Sequence, residues 1–270
     1  MTLRITSADN PRVKDALKLR TRRARKQTGR FLVEGTRELA RAMDAGLCPE
    51  LLLVEPDRAG AAGVRAVDRT QKGGGRVAEV TAAVYAKLVL REDAEGLIAV
   101  IPIPAAELGD LHLPEAPLVL AAMGVEKPGN LGALLRSADA FGAAAVVTEG
   151  GTDLWNPNVV RASLGCLFTV PVAAAPAGGL VPWLRERGLR IAAAAIDGAV
   201  APHRADLTGG VAILVGSEQR GLDADVQATA DVRVRIPMYG AVDSLNVSVA
   251  AGVLLYEAGR QRHPDSPRGD

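Results

Sequence analysis

The sequence predicts an α/β protein in two parts, on three observations. Short apolar runs typical of buried strands alternate with segments of helical periodicity along the chain, a pattern that favours sheets covered by helices. The alternation stops between Pro102 and Pro117, where four prolines fall close together, as is typical of a domain boundary. A second series then starts at Leu118. We therefore predict a first domain over 1–104, a linker over 105–117 and a second domain over 118–270.

The first domain has its clearest helix start at Asn10 and Pro11. Asparagine is a favoured N-cap, and proline suits the first helical position because its missing N–H would have no partner there. We predict that this helix runs through the basic residues that follow, as far as Gly29. The other predicted elements are a strand over 31–33, a helix closing at Gly46, and buried strands over 51–54, 76–80 and 97–103.

The second domain begins with a buried type of strand over 118–122, whose exit loop leads to a helix with Asn130 as its predicted N-cap. Near the end of the chain a strand stops at Pro237, which has no N–H to donate. Ser244 is the predicted N-cap of the last helix, whose apolar residues include Val249 and Tyr256. Between them we predict strands over 144–148, 167–170, 190–196 and 211–215, a helix opened by Asn156-Pro157, and a helix over 178–187.

Composition excludes several classes of protein. The chain has 270 residues and 48% apolar content, and no apolar run approaches the roughly 20 residues that cross a bilayer. The first residues lack the apolar region of a signal peptide, so we expect a cytoplasmic protein. The two cysteines fit no metal or redox spacing, and we expect no metal. The three histidines lie near no serine or cysteine nucleophile motif, which argues against a hydrolase triad.

The charge is unevenly distributed. The net charge is +1, but residues 1–30 hold ten basic and two acidic side chains, which leaves a charge of −7 on the other 240 residues. Clustered lysine and arginine release counterions from a phosphate backbone, so the basic arm indicates a nucleic-acid partner; a solvated helix face is the alternative. The predicted RNA-binding residues are Lys18, Arg20, Arg22, Arg23, Arg25 and Lys26.

Three strand-exit loops stand out in the second domain: Asn130 to Arg136, Gly216 to Gly221, and Met238 to Asn246. Ligands of α/β sheets bind outside the carboxyl ends of the strands, so these loops are candidates to line one site. Their glycine spacing matches neither a phosphate loop nor the dinucleotide fingerprint. Taken singly, Ser244 could be only a cap, Arg136 a surface charge and Glu218 part of a plain turn.

Together the loops carry a specific resemblance. The segments Asn130-Leu-Gly-Ala-Leu-Leu-Arg136, Leu214-Val-Gly-Ser-Glu-Gln-Arg-Gly-Leu222 and Ile236-Pro-Met-Tyr-Gly-Ala-Val-Asp-Ser-Leu-Asn-Val-Ser-Val249 resemble, in order and spacing, the three motifs of the SpoU (TrmH-type) RNA 2′-O-ribose methyltransferases of the SPOUT superfamily. The first domain is similar to the small ribosomal-protein-like α/β/α RNA-binding domain of many members, through Phe31-Leu-Val-Glu-Gly35 and Gly96-Leu-Ile-Ala99.

The resemblance implies a fold, a cofactor and a set of site residues. The second domain should have a parallel sheet and a deep trefoil knot, an exception to the rule against threaded chains. It should bind S-adenosylmethionine and form a homodimer. Carried over by motif, the cofactor residues would be Gly216, Ile236, Met238 and Leu245. The catalytic residues would be Asn130, Arg136, Glu218, Ser244 and Asn246. Thr148 and Gly150, at another strand exit, are additional cofactor candidates.

The implied reaction is methyl transfer to a ribose 2′-hydroxyl, in which the protein must position the oxygen and help remove its proton. Arg136 suits a clamp on phosphate and hydroxyl better than a base, because arginine stays protonated in water. The separate RNA-binding domain favours 23S rRNA as substrate. The alternatives are a tRNA 2′-O-methyltransferase and a non-catalytic RNA-binding protein with a relic cofactor pocket.

Overall fold

The structure, a computed structural model, describes residues 3–90, 94–197 and 200–263. Contacts divide the chain into two compact units. Unit 1 comprises Met1–Ala105 and Asp153–Thr169, and unit 2 comprises Ala106–Thr152 and Val170–Asp270. The chain first passes from unit 1 to unit 2 after Ala105, at the start of the predicted linker over 105–117. Residues 153–169 lie within the predicted second domain but pack with unit 1. Among the described residues, no helix is both long and apolar enough to span a membrane.

The elements follow the predicted α/β alternation. Up to residue 105 they are β1 (Leu3–Ile5), α1 (Pro11–Lys18), α2 (Arg22–Thr28), β2 (Arg30–Glu34), α3 (Thr36–Asp44), β3 (Leu51–Val54), α4 (Pro56–Lys72), β4 (Arg76–Val80), α5 (Ala82–Leu88) and β5 (Leu97–Pro102). Beyond it they are β6 (Leu118–Met123), α6 (Pro128–Ala140), β7 (Ala145–Glu149), α7 (Pro157–Ala162), β8 (Val172–Ala175), α8 (Leu180–Glu186), β9 (Arg190–Ala194), β10 (Val211–Val215), α9 (Ala224–Ala228), β11 (Val232–Val234) and α10 (Val247–Arg262).

Unit 1 is built on a mixed sheet with the strand order β1-β4-β3-β5-β2. The strands β1, β4 and β3 are parallel, and β5 runs antiparallel to β3 and β2. The segment over residues 153–169 packs on this unit through aromatic rings: Phe31 lies 4.9 Å from Trp155 and 6.1 Å from Phe168, between ring centroids. Arg41 adds a hydrogen bond of 3.1 Å from its Nη1 to the carbonyl oxygen of Leu164.

Unit 2 is built on a parallel sheet with the order β11-β9-β10-β6-β7-β8. In the central register Val215 pairs with Ala122, and Leu214 with Ala193. Because all six strands run the same way, the loops that leave β9, β10 and β11 meet at one edge, which is where ligands of such sheets bind. The parallel sheet is as predicted. The trefoil knot stays a prediction.

Several predicted boundaries are wrong. The first helix does not run to Gly29 unbroken: it ends at Lys18, and Thr21 caps a second helix by accepting from the backbone N–H of Ala24. The predicted strand over 167–170 is a short 3₁₀ turn, Cys166–Phe168, and the strand follows at Val172. The buried Ser163 hydroxyl holds this turn by accepting from the N–H groups of Gly165 and Leu167.

The two helices that carry motif residues start elsewhere than predicted. Pro128 begins α6, so Asn130 lies in its first turn instead of capping it. The cap of α10 is Asn246, whose side chain accepts from the N–H of Ser248, and not Ser244. These shifts matter to the site, because they place both asparagines where helix starts present their side chains to the same edge of the sheet.

Candidate functional site

A cavity of about 480 Å³ opens at the edge of the unit 2 sheet where β9, β10 and β11 end. It is bounded by the start of α6 and the start of α10. Its walls combine apolar side chains with polar groups on the rim. The lining residues are Lys127, Asn130, 194–196, 215–221, Val234–Ile236, Met238, 243–247 and Ala250. All three predicted loops therefore contribute to one cavity.

A chain of hydrogen bonds joins the three loops on the rim. Asn130 Nδ2 donates to Glu218 Oε1 at 2.8 Å, and Asn246 Nδ2 donates to Asn130 Oδ1 at 3.1 Å. Ser248 completes the chain by donating its N–H and its hydroxyl to Asn246 Oδ1, at 2.9 and 2.7 Å. Each motif thus contributes a residue to one polar network.

The direction of this network is fixed by its two ends. A carboxylate only accepts, so the amide nitrogen of Asn130 must face Glu218. A backbone N–H only donates, so the amide oxygen of Asn246 must face Ser248. The remaining bond, from Asn246 to Asn130, then has one possible direction. Each asparagine keeps a second amide N–H, so the network offers hydrogen-bond donors to a ligand on the rim.

Glu218 is the charged end of the network. Burial raises the pKa of its carboxyl, but the hydrogen bonds from the side chain of Asn130, from its own backbone and from the N–H groups of Glu126 and Lys127 outweigh burial and lower the pKa. The backbone nitrogens of Glu126 and Lys127, just before α6, each lie 3.2 Å from an oxygen of the Glu218 carboxylate. A carboxylate with a lowered pKa is a poor base, and its hydrogen bond with Asn130 fixes the orientation of that amide.

The four cofactor residues predicted by motif, Gly216, Ile236, Met238 and Leu245, all lie on the cavity wall. Gly216 is buried, and a Cβ built there would lie 2.1 Å from the carbonyl carbon of Gly221, so only glycine lets the chain pass. Ile236, Met238 and Leu245 lie in a loop outside any helix or strand, and their backbone groups make none of the backbone hydrogen bonds found among the described residues. Such unpaired groups, beside apolar walls, suit a ligand with hydrogen-bonding edges and a flat apolar face.

The catalytic set predicted from the resemblance is only partly brought together. Asn130, Glu218 and Asn246 form the network, and Ser244 lies exposed on the cavity lining. Arg136 does not line the cavity: it is exposed on α6, six residues beyond Asn130, or about 9 Å along the helix axis. Thr148 and Gly150 do not line the cavity either, because β7 lies on the far side of β6 from β10.

Sequence reasoning missed two groups of lining residues. Residues 194–196 form a wall because β9 is the direct neighbour of β10, and that strand order cannot be read from the sequence. Lys127, Arg220 and Arg235 place positive charge around the cavity. Arg220 and Arg235 directly precede the motif residues Gly221 and Ile236, and Lys127 lies three positions before Asn130, so the motifs could have indicated them. Within the described ranges, no group of histidine, cysteine, aspartate or glutamate side chains could hold a metal ion.

The structure changes the list of predicted RNA-binding residues in the basic arm. The prediction for Arg25 is wrong: this residue is only 2% exposed, its guanidinium is bonded to Asp153 at 2.6 and 3.1 Å, and it donates to the carbonyl of Leu19. A guanidinium held in this way cannot reach a phosphate. Arg20 is exposed but donates to three carbonyls at the end of α5. Lys18, Arg22, Arg23 and Lys26 are exposed and stay predictions.

Comparison with known proteins agrees with the motifs. The model of the SpoU rRNA Methylase family matches residues 117–256, and that of the MRM3-like substrate binding domain matches residues 10–99. The 23S rRNA (guanosine(2553)-2′-O)-methyltransferase RlmP of Bacillus subtilis is 31% identical, over 93% of this chain and 97% of its own. A 23S rRNA (uridine(2479)-2′-O)-methyltransferase of Streptomyces viridochromogenes is 33% identical, over 90% and 87%.

Among solved structures, an S-adenosylmethionine-bound rRNA methyltransferase from Sinorhizobium meliloti is 31% identical and superposes with a TM-score of 0.88, over 96% of this chain and 98% of its own. The likeness therefore extends through both units. The chain belongs to the SpoU rRNA methylase family, and carries the MRM3-like substrate binding domain ahead of the methylase domain.

Proposed function

We propose that the protein transfers a methyl group from S-adenosylmethionine to a ribose 2′-hydroxyl of 23S rRNA. The observation that carries the proposal is the network of Glu218, Asn130 and Asn246, which joins the three motif loops on the rim of one cavity. The named relatives support the RNA and the position on the ribose, but they modify a guanosine in one case and a uridine in the other. The nucleotide is therefore left open. An rRNA substrate implies a cytoplasmic enzyme.

The cavity residues fit S-adenosylmethionine, which supplies a methyl group activated by its sulfonium. Backbone groups of Ile236, Met238 and Leu245 are available to the edge of its adenine, and Gly216 lets the loop over residues 217–221 close against the cavity wall. The apolar walls exclude water from the flat ring. The remaining requirement is to hold a ribose in line with the sulfonium, at the rim.

Asn130 and Asn246 hold the ribose through their second amide N–H groups, which donate to its oxygens. Glu218, kept ionised by its hydrogen bonds, fixes the orientation of Asn130. Ser244, exposed on the rim, contacts the same ribose, and Arg136 clamps an adjacent phosphate. Because the free groups of the network are donors, the proton of the 2′-hydroxyl leaves to an acceptor outside Asn130, Asn246 and Glu218.

Ser248 should tune turnover through Asn246. Ser248→Ala removes one of the two donors to Asn246 Oδ1 and keeps the backbone donor, so we expect the rate constant of methyl transfer to fall about 3- to 10-fold, the effect of one hydrogen bond of about 1 kcal/mol. Cofactor affinity should stay the same. Ser248→Thr keeps the hydroxyl and should restore the rate in single-turnover kinetics. Equal rates for the alanine variant and the parent would remove Ser248 from the account.

The enzyme is proposed to act as a homodimer through unit 2. One face of α10 leaves Val249, Val253 and Tyr256 exposed at 51, 38 and 58%, at the spacing of one helical stripe. Tyr256 packs edge-on against Phe141, with 5.9 Å between centroids, beside a surface depression of about 540 Å³. An apolar stripe of this kind marks an association surface, and a symmetric pair of copies covers it from both sides.

Disrupting this stripe should produce monomers. Val253→Glu places a charge in the middle of the apolar face, so we expect the mass measured by sedimentation equilibrium to halve at micromolar concentration. Val64→Glu is the matched control, because Val64 is 71% exposed on α4 in unit 1. The control should retain the mass of the parent. A dimer in both variants would place the association surface elsewhere.

The function is tested with purified protein, methyl-labelled S-adenosylmethionine and rRNA or tRNA from cells that lack the gene. Nucleoside analysis should find the label as one 2′-O-methyl nucleoside in 23S rRNA. Label in tRNA would favour the tRNA enzyme. Cofactor and RNA binding without transfer would favour a relic pocket.

A further inference from the structure

Unit 1 contains a second concentration of positive charge, on helices other than those of the predicted basic arm. A cleft of about 210 Å³ lies between α3 and α4, with Leu97 of β5 at its base. Three arginines border it: Arg37 from the first turn of α3, and Arg65 and Arg69 from α4. The cleft lies within the segment that matches the substrate-binding domain.

The floor of the cleft is apolar. Its lining includes Leu39, Ala40, Met43, Ala62 and Leu97, so small and aliphatic side chains form the surface between the arginines. A narrow apolar slot bordered by guanidinium groups matches the two parts of a nucleotide. A base offers a flat apolar face, and its phosphates offer negative charge.

The arginines at the border differ in how their charge is compensated. Arg69 pairs with Asp44 at 2.8 Å. Arg37 and Arg65 make no ion pair or side-chain hydrogen bond within the described part of the chain, and both are exposed. Nearby acids are already engaged: Glu95 accepts from the N–H and hydroxyl of Thr36 at 2.7 and 2.5 Å, and Asp68 pairs with Lys72 at 2.8 Å. Among the described residues, two guanidinium groups without an ion pair therefore border the cleft at exposed positions.

In the basic arm, residues 18–26, some of the positive side chains are engaged within the protein and do not offer a free charge. Arg25 is buried against Asp153, and Arg20 is engaged at the end of α5. Lys18 pairs with Asp15 at 2.9 Å, though this exposed pair is weak. The α3–α4 cleft combines positive charge with an apolar slot.

We propose that the α3–α4 cleft binds an unpaired nucleotide of the RNA substrate, with the base against the apolar floor and the flanking phosphates on Arg37 and Arg65. This inference rests on the proposed function. A base in a duplex is stacked on both faces and cannot enter such a slot, whereas proteins read single-stranded RNA by accepting splayed bases in this way. The cleft therefore selects single-stranded RNA and supplies phosphate contacts.

Three double variants of the full chain test the cleft at equal loss of charge. Arg37→Ser/Arg65→Ser removes the free cleft arginines, Arg23→Ser/Lys26→Ser removes arm residues, and Arg4→Ser/Arg76→Ser removes exposed charges from the strands β1 and β4. Affinities for a 12-nucleotide oligouridine and a 12-base-pair RNA duplex are measured by filter binding at several salt concentrations. A fourth variant, Ala62→Leu, fills the floor of the cleft without a change of charge.

We expect the cleft double variant to bind oligouridine about tenfold more weakly than the strand control at low salt. Its log–log salt slope should be lower by roughly 1.4, the value for two phosphate contacts on a single strand. Ala62→Leu should weaken oligouridine binding with little change of slope. Binding of the duplex should respond equally to all three charge variants.

Two results would overturn the proposal that the cleft binds RNA. One is a cleft double variant with the same oligouridine affinity as the strand control, and the other is a loss of affinity confined to the arm variant. The proposed function is judged separately, by cofactor binding and methyl transfer of the parent protein. If the parent methylates rRNA and the cleft variants match the control, the site fails while the function stands. If the parent binds oligouridine through the cleft without methylating RNA, the function fails instead.

Discussion

Gly216→Ala is expected to weaken the binding of S-adenosylmethionine by about ten- to a hundredfold. A Cβ at this position would lie 2.1 and 2.2 Å from the carbonyl carbon and oxygen of Gly221, and 2.4 Å from the nitrogen of Leu222. These are backbone atoms, held by two reciprocal hydrogen bonds of 3.0 Å between Ser217 and Gly221. The loop must therefore move, at a cost of about 1–3 kcal/mol. Calorimetric titration with the cofactor measures the loss.

Gly240→Ala is the control for this prediction. Gly240 belongs to the neighbouring loop, a Cβ there would meet nothing within 4 Å, and its φ is not positive. Its alanine variant should bind the cofactor as the parent does. If Gly216→Ala also binds with unchanged affinity while its melting temperature is unaltered, the cofactor does not lie against this loop.

Arg136→Ala should reduce the rate constant of methyl transfer by roughly 10²-fold, because loss of the clamp on the phosphate lets the ribose move out of line with the sulfonium. Cofactor affinity should stay within a few-fold, because Arg136 does not line the cavity. Single-turnover transfer to rRNA and calorimetry with the cofactor measure the two effects. Arg204→Ala is the matched control, since Arg204 is an exposed arginine of the same unit outside the cavity.

The outcome that contradicts this assignment is specific. An equal loss of cofactor affinity in Arg136→Ala would mean that the arginine belongs to the cofactor site. Unchanged turnover would reduce Arg136 to a surface charge of α6, the alternative that the sequence left open.

Local patterns predicted the sheet well where strands are fully buried. The strands Leu51–Val54 and Val211–Val215 begin and end as predicted, because continuous apolar runs bounded by polar or glycine residues leave little freedom of assignment. Helix starts were harder, since several residues could cap. Pro128 starts α6 before Asn130, and Asn246 takes the role assigned to Ser244.

Features that depend on contacts between residues far apart in the sequence could not be predicted from local patterns. The burial of Arg25 requires Asp153, which is 128 positions away. The packing of residues 153–169 with unit 1 likewise depends on contacts with residues far away in the sequence. In the site, the motifs indicated the loops, but the wall over residues 194–196 depends on strand order, and Ser248 emerged only from the hydrogen bonds around Asn246.

The most direct test of the central claim is a map of ribose 2′-O-methylation in RNA from cells with and without this gene. We predict that one 2′-O-methyl nucleotide of 23S rRNA disappears without the gene and returns with the parent gene, but not with the Arg136→Ala gene. Identical ribose methylation of the 23S rRNA in both cell types, or a loss confined to tRNA, would contradict the account.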